Sequence, residues 1–121
     1  MAEQLRRAWV GIAPFQVKAY PPFAKFGFFY SPLKIFEYLA CGLPVVTTAC
    51  PELAAIVQQG HTGCLVEEGD VEGFATALDG LLSNAEGMKQ ECRDAAVARF
   101  SWQAHVAQVE EILKEASARR V

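Results

Sequence analysis

The chain has 121 residues, enough for one domain with a real core, and 52% of them are hydrophobic, which excludes a disordered tail. Eleven Lys and Arg against 14 Asp and Glu give a formal charge of −3. With no basic face in the pattern, nucleic acid and anionic membrane drop out as partners. No apolar run approaches the ~20 residues of a membrane helix, so no integral membrane segment is expected, and the opening MAEQLRRAWVG does not read as a signal peptide.

Residues 3–8 (EQLRRA) read as a helix end or a lead-in. WVGIAP, residues 9–14, is a short apolar run closed by proline and predicts a strand. From Phe15 to Tyr30 follows a long loop with Pro21, Pro22 and Gly27 and with Phe15, Tyr20, Phe23, Phe26, Phe28 and Phe29 beside Lys18 and Lys25. Loops of this length are functional or mobile, and the alternative is that these aromatics cover a core edge.

Residues 31–48, SPLKIFEYLACGLPVVTT, predict a short helix running straight into a buried strand. Ser31 is the expected N-cap, with Pro32 at the first helical position, where a missing N–H costs nothing. Gly42 supplies the left-handed residue that ends the helix, and Pro44 blocks continuation. PVVTT, 44–48, has the β-branched character of a strand covered on both faces.

Pro51–Val57 predicts two helical turns, QQGHTG a turn, and Cys64–Val66 a short strand. Asp70 caps a helix with Val71, Phe74, Leu78 and Leu81 on one stripe, and Asn84 caps another with Met88, Cys92 and Ala95 inward. Ser101 caps the last, whose stripe is Trp102, Val106, Val109, Leu113 and Ala116, with Arg119 and Arg120 at its end, where cations are favoured. The order predicts an α/β fold, a partial Rossmann-like three-layer sandwich with about three parallel strands and C-terminal helices. It reads as one truncated half-domain over 1–121. Cys41, Cys50, Cys64 and Cys92 form no CxxC pair and have only two histidines for company, so no metal site is expected. They read as free thiols of a cytoplasmic protein.

SPLKIFEYLACGLPVV resembles the C-terminal domain of retaining glycosyltransferases with the GT-B fold, whose pattern here is P-x-K-x-x-E-y-x-A-x-G-x-P-V-V. VGIAPF before it, GHTGCLV and E-x-G-D after it, and the closing FSW with its long helix agree, so the likeness runs from about Leu5 to Glu115. It covers the second half of that domain, strands four to six in the order 3-2-1-4-5-6. The acid that the family's E-x₇-E motif places eight residues before Glu37 is Phe29 here.

The resemblance implies a nucleotide-diphosphate-sugar donor of UDP or GDP type, no further cofactor and no metal. It also implies an acceptor-binding domain outside this chain, so that the chain alone is not catalytic. Ser31, Leu33 and Lys34 would hold the diphosphate at a helix N-terminus with Phe29 and Tyr30 alongside, and Glu37 would accept hydrogen bonds from a ribose diol. Against this stand a capped helix with water at its end, a Glu37 paired with Lys34 at i−3 and worth roughly 0.2–0.5 kcal/mol, and a Lys34 pointing to water. Thr47 and Thr48 lie at a strand end where α/β sheets bind ligands, but lean to structure. Glu52 reads as a first-turn acid, His61 as a surface histidine with no partner, and His105 as packing. The second reading is a self-associating module that keeps the motif as scaffold, a homo-oligomer through the 9–14 strand edge.

Overall fold

A computed structural model describes residues 2–120. The elements run α1 (Ala2–Arg6), β1 (Gly11–Ala13), α2 (Pro21–Phe26), α3 (Leu33–Ala40), β2 (Val45–Thr48), α4 (Pro51–Ala54), β3 (Gly63–Val66), α5 (Val71–Phe100) and α6 (Trp102–Ala118). The three strands are parallel in the order β1-β2-β3, with Gly11 beside Val45 and Val45 beside Gly63. This is the expected partial Rossmann-like α/β fold. Parallel neighbours need a crossover, and α3 and α4 supply the two helical ones. β2 is buried at every position, as its continuous apolar run requires, whereas β1 buries Gly11 and Ala13 and turns Ile12 outward.

The core gathers Ile35, Leu39, Val45, Val46, Leu53, Val57 and Cys92, all fully buried. α3 packs on α5, β1 and β2, and α5 also packs on β2 and β3. The junction from α3 to β2 follows its sequence closely. Gly42 has φ +78, its N–H donates to the Leu39 carbonyl (2.9 Å), and the Leu43 N–H donates to the Tyr38 carbonyl (2.9 Å). Those two bonds are the Schellman arrangement, which satisfies carbonyls that a helix end otherwise leaves without donors.

Four expectations need correction. Ser31 does not cap α3: the N-cap is Pro32, without a side-chain bond, and the Ser31 backbone carbonyl instead accepts from the Leu33 N–H (2.9 Å). The segment 15–30 is not all loop, because Pro21 and Pro22 open α2, where the absence of N–H groups is no handicap. Asn84 starts no helix. α5 is continuous for 30 residues, since Leu81, Ala85, Met88, Cys92 and Ala96 keep one buried stripe through that point, and Asn84 Nδ2 merely donates to the Gly80 carbonyl (2.9 Å). The stripe on α6 exists but is not buried: no residue of α6 is, and Trp102 is 80% exposed. Asp70 and Ser101 cap as predicted, accepting from the N–H groups of Gly73 and Ala104.

Among the described residues no helix is long and apolar enough to cross a membrane, and no group of three or more His, Cys, Asp or Glu could hold a metal ion.

Candidate functional site

A cleft of about 160 Å³ opens where β1 ends and α3 begins, lined by Ile12, Ala13, Pro14, Phe15, Tyr30, Pro32, Leu33 and Lys34. Its position follows from the topology. The C-terminal ends of parallel strands and the N-terminus of the next helix meet there, the usual ligand crevice of α/β sheets. Of the residues singled out in the sequence, Tyr30, Leu33 and Lys34 line it, whereas Ser31 and Glu37 do not. Phe29 is exposed beside the aromatic group rather than in the lining.

The donors at the helix start differ from the simple count. The Leu33 N–H is occupied by the Ser31 carbonyl and the Ile35 N–H by the Pro32 carbonyl (3.0 Å), which leaves the Lys34 N–H without an acceptor among the described residues. With the positive end of the helix dipole and the Lys34 ammonium, that N–H makes the mouth of the cleft favourable to an anion. Glu37 is exposed, one turn along the face that carries Leu33 and Lys34. It makes no ion pair with Lys34 among the described residues, where the only pairs are Lys18–Glu67 and His61–Glu91. The carboxylate is therefore presented to solvent with its acceptor capacity unused.

The aromatic wall is one connected group. Phe15 meets Phe28 edge-on at 5.2 Å between ring centroids and Tyr30 at 6.2 Å, while Phe23 meets Tyr20, Phe28 and Phe29 at 4.9 to 5.0 Å. Such tilted and edge-to-face pairs are the favoured geometry between rings. Phe28 is buried, but Tyr30 and Phe29 remain 58% and 64% exposed.

Beneath this wall, polar side chains hold the loop. Thr48 Oγ1 accepts from the Phe15 N–H (2.7 Å) and donates to the Phe15 carbonyl (2.8 Å), and Thr47 Oγ1 donates to the Ala13 carbonyl (2.7 Å). Both threonines are therefore structural. Glu52 accepts from the Phe28 N–H (3.3 Å), and its carboxyl is held below the ordinary range by its own backbone N–H and then by that of Phe28. Glu68, which the sequence did not mark, accepts from the N–H groups of Val17 (3.1 Å), Lys18 (2.6 Å) and Ala19 (3.2 Å). His61 is not unpartnered: its Nδ1 lies 2.8 Å from Glu91 Oε1. His105 is exposed, edge-on to Trp102 at 5.7 Å. These pairs join residues 24 to 51 positions apart or lie on a free helix face, and no local pattern announces them.

Comparison with known proteins adds the family. Residues 1–84 match the model of the family described as glycosyl transferases group 1. The chain is 39% identical over 71 residues to a D-inositol 3-phosphate glycosyltransferase of Mycobacterium marinum, a match over 55% of this chain and 15% of that protein. It is 32% identical over 83 residues to an N-acetyl-alpha-D-glucosaminyl L-malate synthase of Bacillus anthracis, a match over 66% of this chain and 22% of that protein. The chain thus spans less than a quarter of the length of these relatives. No solved structure matches.

Proposed function

The chain belongs to the group 1 glycosyl transferases, and we propose that it forms the part of a retaining transferase that holds a nucleoside diphosphate sugar of UDP or GDP type. The observation that carries this reading is the cleft at the end of β1, whose lining includes the exposed Tyr30 and a Lys34 that brings a cationic side chain and an N–H without an acceptor among the described residues. A diphosphate fits that mouth on charge. The ribose diol would then extend along α3 to Glu37, whose ionised oxygens form the stronger class of hydrogen bond. Leu33 contributes an apolar wall, and Ser31 stands between the lining residues Tyr30 and Pro32 without lining the cleft itself.

In the whole enzyme the chemical demand on this part is electrostatic. The leaving diphosphate gains charge as the glycosidic bond breaks, and a preoriented N–H and ammonium stabilise that charge without reorganising. The acceptor would be bound by another domain, so the isolated chain is not expected to transfer sugar.

The test is a calorimetric titration with UDP and with GDP, repeated on Glu37→Ala. Saturable binding that weakens about ten-fold, near the worth of one charged hydrogen bond, supports the reading. Absence of binding to both nucleotides would overturn it, and glycosyl transfer by the chain alone would overturn its non-catalytic part.

A second reading, self-association through the β1 edge, draws on the exposure of Trp9 (60%) and Ile12 (44%) there. An edge strand with outward apolar side chains is a template for pairing. A monomeric mass at micromolar concentration would contradict it.

A further inference from the structure

The segment from Phe15 to Tyr30 supplies one wall of the cleft, yet most of it has no regular structure to fix its course. Only six of its residues are helical, and the N–H groups of Val17, Lys18 and Ala19 find no backbone acceptor among the described residues. All three converge on one side chain some 50 residues away. Glu68 Oε2 accepts from Val17 (3.1 Å) and Lys18 (2.6 Å), and Oε1 accepts from Ala19 (3.2 Å).

We propose that Glu68 is the positioning residue of the cleft, its carboxylate gathering three successive N–H groups and so fixing the aromatic segment that places Phe15 and Tyr30. Resting on the donor-site reading above, the proposal adds the residue that sets the shape of that site.

The physical case is one of supply and demand. Three adjacent N–H donors in irregular backbone need an acceptor, and a carboxylate is the one side chain with enough lone pairs to serve all three. Bonds to an ionised acceptor are about twice as strong as neutral ones. Glu68 stands just beyond β3, so the clamp ties the exit of β1 to the exit of β3 across the ligand end of the sheet. The other restraints lie elsewhere along the segment, Thr48 at Phe15 and Glu52 at Phe28. Rings between them then pack in register, Tyr20 on Phe23 and Phe23 on Phe28. By contrast Glu67, next in sequence, makes only an exposed 3.4 Å pair with the Lys18 ammonium, a type worth little.

Amide hydrogen exchange on the wild-type chain, Glu68→Ala, Glu68→Gln and Glu67→Gln, with UDP and GDP titrations of each, tests this. The amides of residues 17–19 should exchange about ten-fold or more faster in Glu68→Ala, by a smaller factor in Glu68→Gln, which keeps one acceptor oxygen, and unchanged in Glu67→Gln. Nucleotide affinity should fall in the same order, about five-fold or more for Glu68→Ala. Unchanged exchange at 17–19 in both Glu68 variants overturns the proposal, as does a loosened segment with wild-type affinity. Should the wild-type chain bind neither nucleotide, the donor-site reading fails, and the exchange ordering still decides whether Glu68 sets the segment. If Glu68→Ala does not fold, Glu68→Gln carries the decision.

Discussion

The ring of Tyr38 occupies the space that a side chain at Gly11 would need. A Cβ on Gly11 would come within 2.3 Å of Tyr38 Cδ2 and 2.5 Å of Cγ, while the Tyr38 hydroxyl donates to the Ile12 carbonyl at 3.4 Å. Tyr38 therefore seals β1 from the α3 side, and the strand can lie this close only because residue 11 has no side chain. Gly11→Ala should destabilise the fold by roughly 1–3 kcal/mol, the range for overpacking. Adding Tyr38→Ala should make the two changes non-additive, because the clash is with that one ring. Urea unfolding of the two single variants and the double variant measures the coupling; strict additivity would show that the ring is not what excludes the methyl group.

Gly63 makes a stricter demand. A Cβ there would lie 2.0 Å from the Val45 carbonyl oxygen, which is backbone and cannot swing away. Gly63→Ala should therefore cost about 3 kcal/mol or more, the upper end of overpacking, and no second substitution of a side chain should restore it. Thermal unfolding checks both statements.

Glu52 and Glu68 give the acid limb of the stability curve. Both carboxyls are held below their ordinary value, Glu52 chiefly by its own backbone N–H and Glu68 chiefly by that of Lys18. A depressed carboxyl in the folded chain stabilises it at pH above the ordinary 4.5, and that contribution is lost as pH falls through the depressed values. Stability measured from pH 7 downward should hold until about 4.5 and then decline, and a Glu52→Gln, Glu68→Gln double variant should show a shallower decline. An unchanged slope would mean that other carboxyls carry the acid limb.

Cys92 sets an alkaline counterpart. Burial, with a lesser push from Glu91, moves its thiol up to about 11 from an ordinary 9.0, and burial likewise raises Cys50 and Cys64. The folded chain keeps these protons longer than the unfolded one, so stability is full below 9.0 and is lost as pH rises through about 11. At pH 8 the buried Cys92 should stay silent to a thiol reagent until denaturant is added, when all four free thiols react. Full reaction of the native chain would contradict the placement of Cys92 in the core.

What could be read in the sequence was whatever a residue fixes by its own stereochemistry. Gly42 ends α3 because few other residues adopt φ +78, and the β-branched run Val45–Thr48 is buried throughout, as its composition required. Asp70 and Ser101 cap because their oxygens reach an N–H three residues on, a purely local matter. Ser31 had the same chemistry and did something else, since its carbonyl took the Leu33 N–H and Pro32 became the cap. Asn84 was overruled by tertiary burial on either side of it. The prolines at 21 and 22 open α2 inside a segment whose composition predicts a loop throughout. At the site, Tyr30, Leu33 and Lys34 were legible because they adjoin the helix start, whereas Glu68 was not, its partners lying 49 to 51 residues away.

Four residues, 41–44, carry the chain from α3 to β2, and the Schellman bonds leave them no slack. Gly42 is also pressed against α5, where an added Cβ would meet Lys89 Cγ at 2.6 Å. The far end of α3 is thus anchored to the core like a tooth in its socket, while the aromatic wall of the cleft is hydrogen-bonded to the rest of the described chain through the side chains of Thr48, Glu52 and Glu68. A ligand that fits imperfectly would be accommodated by that wall. On the proposed donor-site reading, discrimination between one guest and another would then rest on residues 15–30, and retuning it by mutation should start there rather than on the helix that bears the recognisable motif.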